Sequence, residues 1–237
     1  MKLSVIMPIY NEASTVREII NRVRKVNLKK EIIIVDDGST DGTREILKSI
    51  ESLKFKVESK KPETDIKIIY HLRNEGKGAS IRTALKYITG DIVIIQDGDL
   101  EYCPEDYFRL VKPIMRGEAE VVYGSRILRK RERTSYWRYY WGGKFLTLVA
   151  NLLYRANITD EPTCYKVFPT RLLKSLDLKC RRFEFCPEVT AKVCKRGYKI
   201  YEVPINCNSR TVEEGKKIKW TDGIVALWIL IKYKFKD

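Results

Sequence analysis

The sequence predicts an α/β fold, a three-layer α/β/α sandwich built around a mainly parallel central sheet. Three observations lead there. Apolar runs of strand length alternate with stretches of helical period through the first half of the chain, joined by short turns. Runs such as EIIIVDD and DIVIIQDGD have uninterrupted apolar centres, as strands covered on both faces require. Both of these runs end in clustered acids, at the strand ends where α/β sheets bind ligands.

The elements follow in order. LSVIMPIY reads as a strand, and Val16, Ile19, Ile20, Val23 and Val26 then recur at helical spacing, with Asn11 or Ser14 as the cap. EIIIVDD is the second strand and TREILKSIESL the second helix, with Asp41 placed to cap it. DIKIIYHL is the third strand and residues 79–88 the third helix. DIVIIQDGD is the fourth strand, PEDYFRLVKPIM a helix opening on proline, and AEVVYGSR the fifth strand. Beyond residue 126 the pattern changes. Residues 126–144 are basic and aromatic without a strand period, and LTLVANLLY is an apolar helix. Residues 167–178 and 187–195 read as short helices, YKIYEVPI as a strand and residues 206–219 as a polar, basic loop. No linker divides the chain, so residues 1–237 are expected to form one domain.

Composition narrows the partners. A net charge of +15 favours anionic ones: phosphorylated small molecules, an anionic membrane surface or nucleic acid. The six cysteines show no paired spacing of the zinc-finger kind, and Pro8 interrupts the first apolar run, so free thiols in a reducing cytoplasm are expected. The single histidine, His71, reads as a strand-end residue. Any metal would then take oxygen ligands.

The acids supply such ligands. Asp97, Asp99 and Glu101 alternate just past a strand, and in extended geometry three such side chains project to one side. They can converge on a hard divalent ion, Mg²⁺ or Mn²⁺, that keeps positions for phosphate oxygens. Asp36 and Asp37 can accept hydrogen bonds from a base or from ribose hydroxyls. RNEGKGAS, residues 73–80, is a glycine-rich turn opening a helix. It reads either as a capped loop or as a contact in which Lys77 meets phosphate or base.

In this order SVIMPIYNEASTV, IIIVDDGSTDGT, NEGKGASIRTAL and IIQDGDLEYCPEDY resemble the successive motifs of family 2 glycosyltransferases of the GT-A, Rossmann-like fold. VVYGSR, TDEPTCYKVF, RFEFCPEVTAK and the EEGKKIKWTDG segment resemble the dolichyl-phosphate mannose synthase branch, and the likeness covers nearly the whole chain. The resemblance implies an inverting, metal-dependent enzyme that moves a sugar from GDP-mannose or a UDP-hexose to a polyprenyl phosphate. It implies a nucleotide-sugar-binding half, residues 1–125, and an acceptor-binding half, residues 126–237, ending in an amphipathic helix. Pro8, Tyr10, Glu12, Asp36, Asp37, Lys77, Asp97 and Gly98 would bind the nucleotide sugar. Asp97, Asp99 and Glu101 would hold the metal. Arg126, Arg138, Arg210, Lys216 and Lys217 would bind the acceptor phosphate, and Asp99, Arg126 and Arg210 would act in catalysis. Gly98 stands where the family more often has alanine, an exchange expected to be harmless. An ionised phosphate attacks without a strong general base, so none is assigned.

The lipid acceptor implies a membrane. Residues 224–231 are apolar but far short of the ~20 residues a spanning helix needs. Lysines interleaved with aromatics follow them, and Tyr136 to Trp141 add a second aromatic cluster. Peripheral attachment to the cytoplasmic face is one reading, and a helix buried against the sheet is the other. Two rival functions stand beside these. One is a soluble transferase acting on a hydroxyl acceptor, with Glu184 or Glu188 as base. The other is a basic nucleic-acid-binding protein. It is the less expected, because acids line the ligand end of the sheet.

Overall fold

The computed structural model describes residues 1–54, 64–129, 137–210, 217–218 and 220–236 of the chain. Among these, seven strands run as β1 (Leu3–Ile9), β2 (Lys30–Asp36), β3 (Asp65–Tyr70), β4 (Ile92–Ile95), β5 (Val121–Ser125), β6 (Lys166–Pro169) and β7 (Ile200–Pro204). The helices are α1 (Val16–Lys25), α2 (Thr43–Lys54), α3 (Lys77–Leu85), α4 (Tyr107–Met115), α5 (Trp137–Tyr154), α6 (Thr170–Ser175), α7 (Phe185–Lys195) and α8 (Trp220–Phe235). The strands form one sheet in the order β3-β2-β1-β4-β6-β5-β7. All pairings are parallel except those of β6, which runs antiparallel to β4 and β5.

Position in the sheet explains the residue pattern. β2 and β4 are central, and every residue in them is buried. β3 is an edge strand and alternates, with Ile66 and Ile68 inward and Asp65 and Lys67 exposed. α1 turns Val16, Ile19, Ile20 and Val23 to the core. The order of the strands reverses between β1 and β4, and that crevice is where α/β sheets place ligands.

Four expectations are corrected here. Neither Asn11 nor Ser14 caps α1. Thr15 takes that place without a side-chain cap bond, and the Asn11 amide oxygen accepts the Thr40 N–H instead, at 2.8 Å. Residues 167–178 do not form one helix. Val167 and Phe168 are fully buried in β6, and only α6 is helical, because pairing between β4 and β5 outweighs local preference. α5 begins well before the apolar run, crossing Gly142 and Gly143. α8 packs on α5 and α7 rather than on the sheet.

Candidate active site

At the end of β2 the chain spreads two carboxylates over the loops. The Asp36 carboxylate accepts from Arg44 Nε at 2.7 Å and from the Ser39 N–H at 3.3 Å. Asp37 accepts from His71 Nδ1 at 2.7 Å and from the N–H groups of Glu75 and Gly76 at 2.9 and 2.7 Å. Both side chains are buried. In this conformation their oxygens hold the neighbouring turns. Asp37 thereby fixes the turn that opens α3, and His71, read from sequence as a plain strand-end residue, braces Asp37. Asp41 organises the start of α2 as expected, accepting from the Thr43 N–H and hydroxyl at 3.1 and 2.6 Å.

The segment after β4 is anchored by a residue the sequence reading passed over. Gln96 is fully buried, and its amide oxygen accepts from the Tyr107 and Tyr165 hydroxyls, each at 2.7 Å. Asp97 follows and meets the Lys77 ammonium at 2.6 Å. The Gly98 carbonyl accepts from the Thr15 hydroxyl at 3.0 Å. A Cβ at Gly98 would stand 2.5 Å from Ile9 Cδ1, the far end of a side chain, so alanine there asks only that this methyl turn aside. Pro8 and Tyr10 stand half-buried at the end of β1.

The C-terminal half reaches this turn through residues 206–210. Tyr102 and Cys207 form a β-bridge, Asn208 N–H donates to the Glu101 carbonyl at 2.8 Å, and Arg210 N–H donates to Glu101 Oε1 at 3.0 Å. The Arg210 guanidinium then lies on Glu12, Nη1 and Nη2 both 3.0 Å from Oε2. Lys217 places its ammonium 2.7 Å from the other Glu12 oxygen. Two cations some two hundred residues away in sequence thus close over one carboxylate of the β1–α1 loop. Lys216 lies outside the described residues, and so does the side chain of Arg138.

Asp99 carries the electrostatic signature of the site. Desolvation, then the Asp97 and Glu101 carboxylates, push its carboxyl up to about 7 against the opposing pull of Arg210, with Glu12 adding to the rise. Crowded oxygen donors of this kind fit a hard divalent cation, whose charge would relieve the repulsion. The three-carboxylate arrangement is corrected, however. Among the described residues no group of three or more His, Cys, Asp or Glu side chains stands ready to hold a metal. The chain bends after Gln96 instead of staying extended, so Asp99 Oδ1 accepts the Glu101 N–H at 3.1 Å while Glu101 turns to Arg210.

Beyond β5, Arg126 donates to Asp160 through Nε and Nη2 at 2.8 and 2.7 Å. Burial raises the Asp160 carboxyl, but the Arg126 guanidinium outweighs it and holds the group below the ordinary carboxylate value. Asp160 thus orients the fork of Arg126, and its only signal in the sequence was the TDEPT segment. Three further acids of this half are likewise engaged by protein donors. Glu202 accepts the N–H groups of Thr159 and Asp160, and Glu184 those of Arg181 and Arg182. Glu188 accepts from Lys179 N–H, Cys180 N–H, Lys192 Nζ and the Tyr233 hydroxyl. Glu184 and Glu188 are therefore structural, which corrects their reading as candidate bases.

On the same half α5 and α8 lie side by side, joined by the Tyr154 hydroxyl on the Leu230 carbonyl and by Lys234 Nζ on the Leu153 carbonyl. Ala226, Ile229, Leu230 and Tyr233 of α8 face inward. Trp141, Phe145, Leu148 and Leu152 of α5 and Ile224, Trp228 and Phe235 of α8 are exposed. Among the described residues no helix is long and apolar enough to cross a membrane.

Comparison with known proteins places this architecture. The family described as Glycosyl transferase family 2 matches residues 4–177, well over half of the chain. The chain is a family 2 glycosyltransferase. The glycosyltransferase is 32% identical over 210 residues to the UDP-N-acetylglucosamine–dolichyl-phosphate N-acetylglucosaminyltransferase of Methanococcus voltae, covering 85% of this chain and 83% of that one. It is 27% identical to the dolichol-phosphate mannosyltransferase of Pyrococcus furiosus, over 91% of this chain but 59% of that longer protein. Both relatives are consistent with the dolichol-phosphate branch of the family. Among solved structures, glucosyl-3-phosphoglycerate synthase from Mycobacterium tuberculosis in complex with UDP superposes with a TM-score of 0.70 at 19% identity, covering all of this chain and 81% of that one. The glycosyltransferase has the GT-A fold that the sequence predicts.

Proposed function

We propose that this glycosyltransferase moves a sugar, with inversion, from a nucleoside-diphosphate sugar to a polyprenyl phosphate at a membrane surface. Among the described residues, the engagement of Asp160, Glu184, Glu188 and Glu202 by protein donors supports the reading. A hydroxyl acceptor needs a carboxylate to take its proton. A phosphate monoester is already ionised near neutral pH and needs cations instead. The acceptor half offers those: Arg126, with two of the five guanidinium N–H donors on Asp160, and Arg210 at the edge of the cleft. The acceptor phosphate oxygen attacks the anomeric carbon as the bond to the diphosphate breaks on the opposite face. Asp97 and Asp99 would hold Mg²⁺ or Mn²⁺, which when bound supplies positive charge to the departing diphosphate. Arginine forks desolvate and orient the attacking phosphate. Names among the relatives, and UDP complexes among the structural neighbours, make a UDP-sugar the first donor to try, with GDP-mannose second.

The exposed apolar faces of α5 and α8, with Lys144, Lys232, Lys234 and Lys236 beside them, support peripheral docking on an anionic bilayer at its cytoplasmic face. One experiment tests both parts. The protein is incubated with Mn²⁺, labelled UDP-N-acetylglucosamine or GDP-mannose, and vesicles with or without polyprenyl phosphate. Label is expected in the organic phase only when the lipid phosphate is present. Label on soluble sugars alone overturns the acceptor. The same vesicles, floated at low salt, are expected to carry the protein with them, and protein left at the bottom overturns the docking face.

A further inference from the structure

We infer that Lys77 is a placeholder cation: it neutralises Asp97 before the donor arrives and passes to the donor diphosphate, so that divalent ion and nucleotide bind as a coupled pair. The inference rests on the metal site proposed at Asp97 and Asp99. The Lys77 ammonium lies 2.6 Å from Asp97 Oδ1, and both side chains are largely buried, at 15% and 21% exposure. An ammonium so placed stands where a cation held by Asp97 would have to come, and two positive charges do not share that position.

The backbone of Lys77 is held from both sides. Gly76, at φ +101°, donates its N–H to Asp37, while Gly78 and Ala79 donate theirs to the Arg182 and Arg181 carbonyls. A Cβ on Gly76 or Gly78 would stand 2.4 or 2.5 Å from the Arg181 or Cys180 carbonyl oxygen, so the turn packs directly on residues 180–181 with no room for a side chain. What can move is the four-carbon stem with its three rotatable donors, which suits transfer from a carboxylate to phosphate oxygens. The arriving diphosphate brings the charge that releases Lys77. By linkage, nucleotide then tightens metal binding and metal tightens nucleotide binding by the same factor. A purely structural ion pair would lose stability on substitution without changing that coupling.

The test is Mn²⁺ binding followed by electron paramagnetic resonance, alone and with saturating UDP or GDP, so no turnover is needed. In the native enzyme nucleotide is expected to tighten Mn²⁺ at least tenfold. In Lys77→Met, Mn²⁺ alone is expected to bind about tenfold tighter, a difference of about 1.4 kcal/mol, and the nucleotide effect to shrink below threefold. Lys77→Gln, which keeps a polar head, serves if the Met variant does not fold. Coupled uptake that is unchanged in the variants overturns the inference and leaves the metal site standing. No Mn²⁺ uptake by the native enzyme with either nucleotide overturns the metal site, and the inference with it.

Discussion

Glu31, at the start of β2, and Asp99, beyond the end of β4, occupy opposite ends of one sheet and meet opposite fates. Burial raises the Glu31 carboxyl, but hydrogen bonds from Lys2, Ser4 and Thr89 together outweigh it and bring it to about 2. Those partners are close: Lys2 Nζ, Ser4 Oγ and Thr89 Oγ1 at 2.6 Å, and the Gly90 N–H at 3.0 Å. Asp99 is desolvated too, but its main neighbours are further acids, and it rises to about 7. Loss of water is common to both sites. The sign of the nearest partners separates a carboxylate that binds the fold together from one poised to take a cation.

The largest effect that tests this contrast is on turnover. Asp99→Ala is expected to lower product formation about a thousandfold or more with an unchanged circular dichroism spectrum. Glu31→Gln is expected to keep turnover within about threefold. Near-normal rates in Asp99→Ala would dissolve the distinction.

Stability should reverse the ranking. Glu31→Gln breaks a buried, charge-assisted network and is expected to cost about 2 kcal/mol in urea unfolding at pH 7. The folded value of Glu31 lies below the unfolded one of about 4.3. Its contribution is therefore complete above that pH and fades as pH falls through about 2. The gap between wild type and variant should narrow in acid, and a gap that widens there contradicts the network.

A third effect is the slope at higher pH with a chelator present. Asp99 has a folded value near 7, above the unfolded value of about 3.9, so the folded protein holds the extra proton between them. Its stabilisation is complete below about pH 4 and lost as pH rises through 7. Asp99→Asn should remove that decline and leave the variant more stable than wild type at pH 8. A wild-type midpoint that stays flat from pH 5 to 8 would show that Asp99 is not crowded.

Local pattern was enough for much of this. The alternating strands and helices, the fully apolar β2 and the acids beyond β2 and β4 were legible because period and burial are written residue by residue. β6 was not, because four residues between two partners carry no period of their own. The pairing of Arg126 with Asp160 was equally hidden, since either residue alone looks like any other surface charge.

By itself, then, the sequence determined a parallel α/β scaffold and the ligand end of its sheet, because hydrophobic period and turn chemistry act over a few residues. Only the tertiary structure decided which charges are free. Arg210 and Lys217 reach Glu12 across most of the chain, and Lys77 reaches Asp97 from another turn. Ion pairs form between groups that folding brings together, and a charge has no partner until its neighbours in space are known.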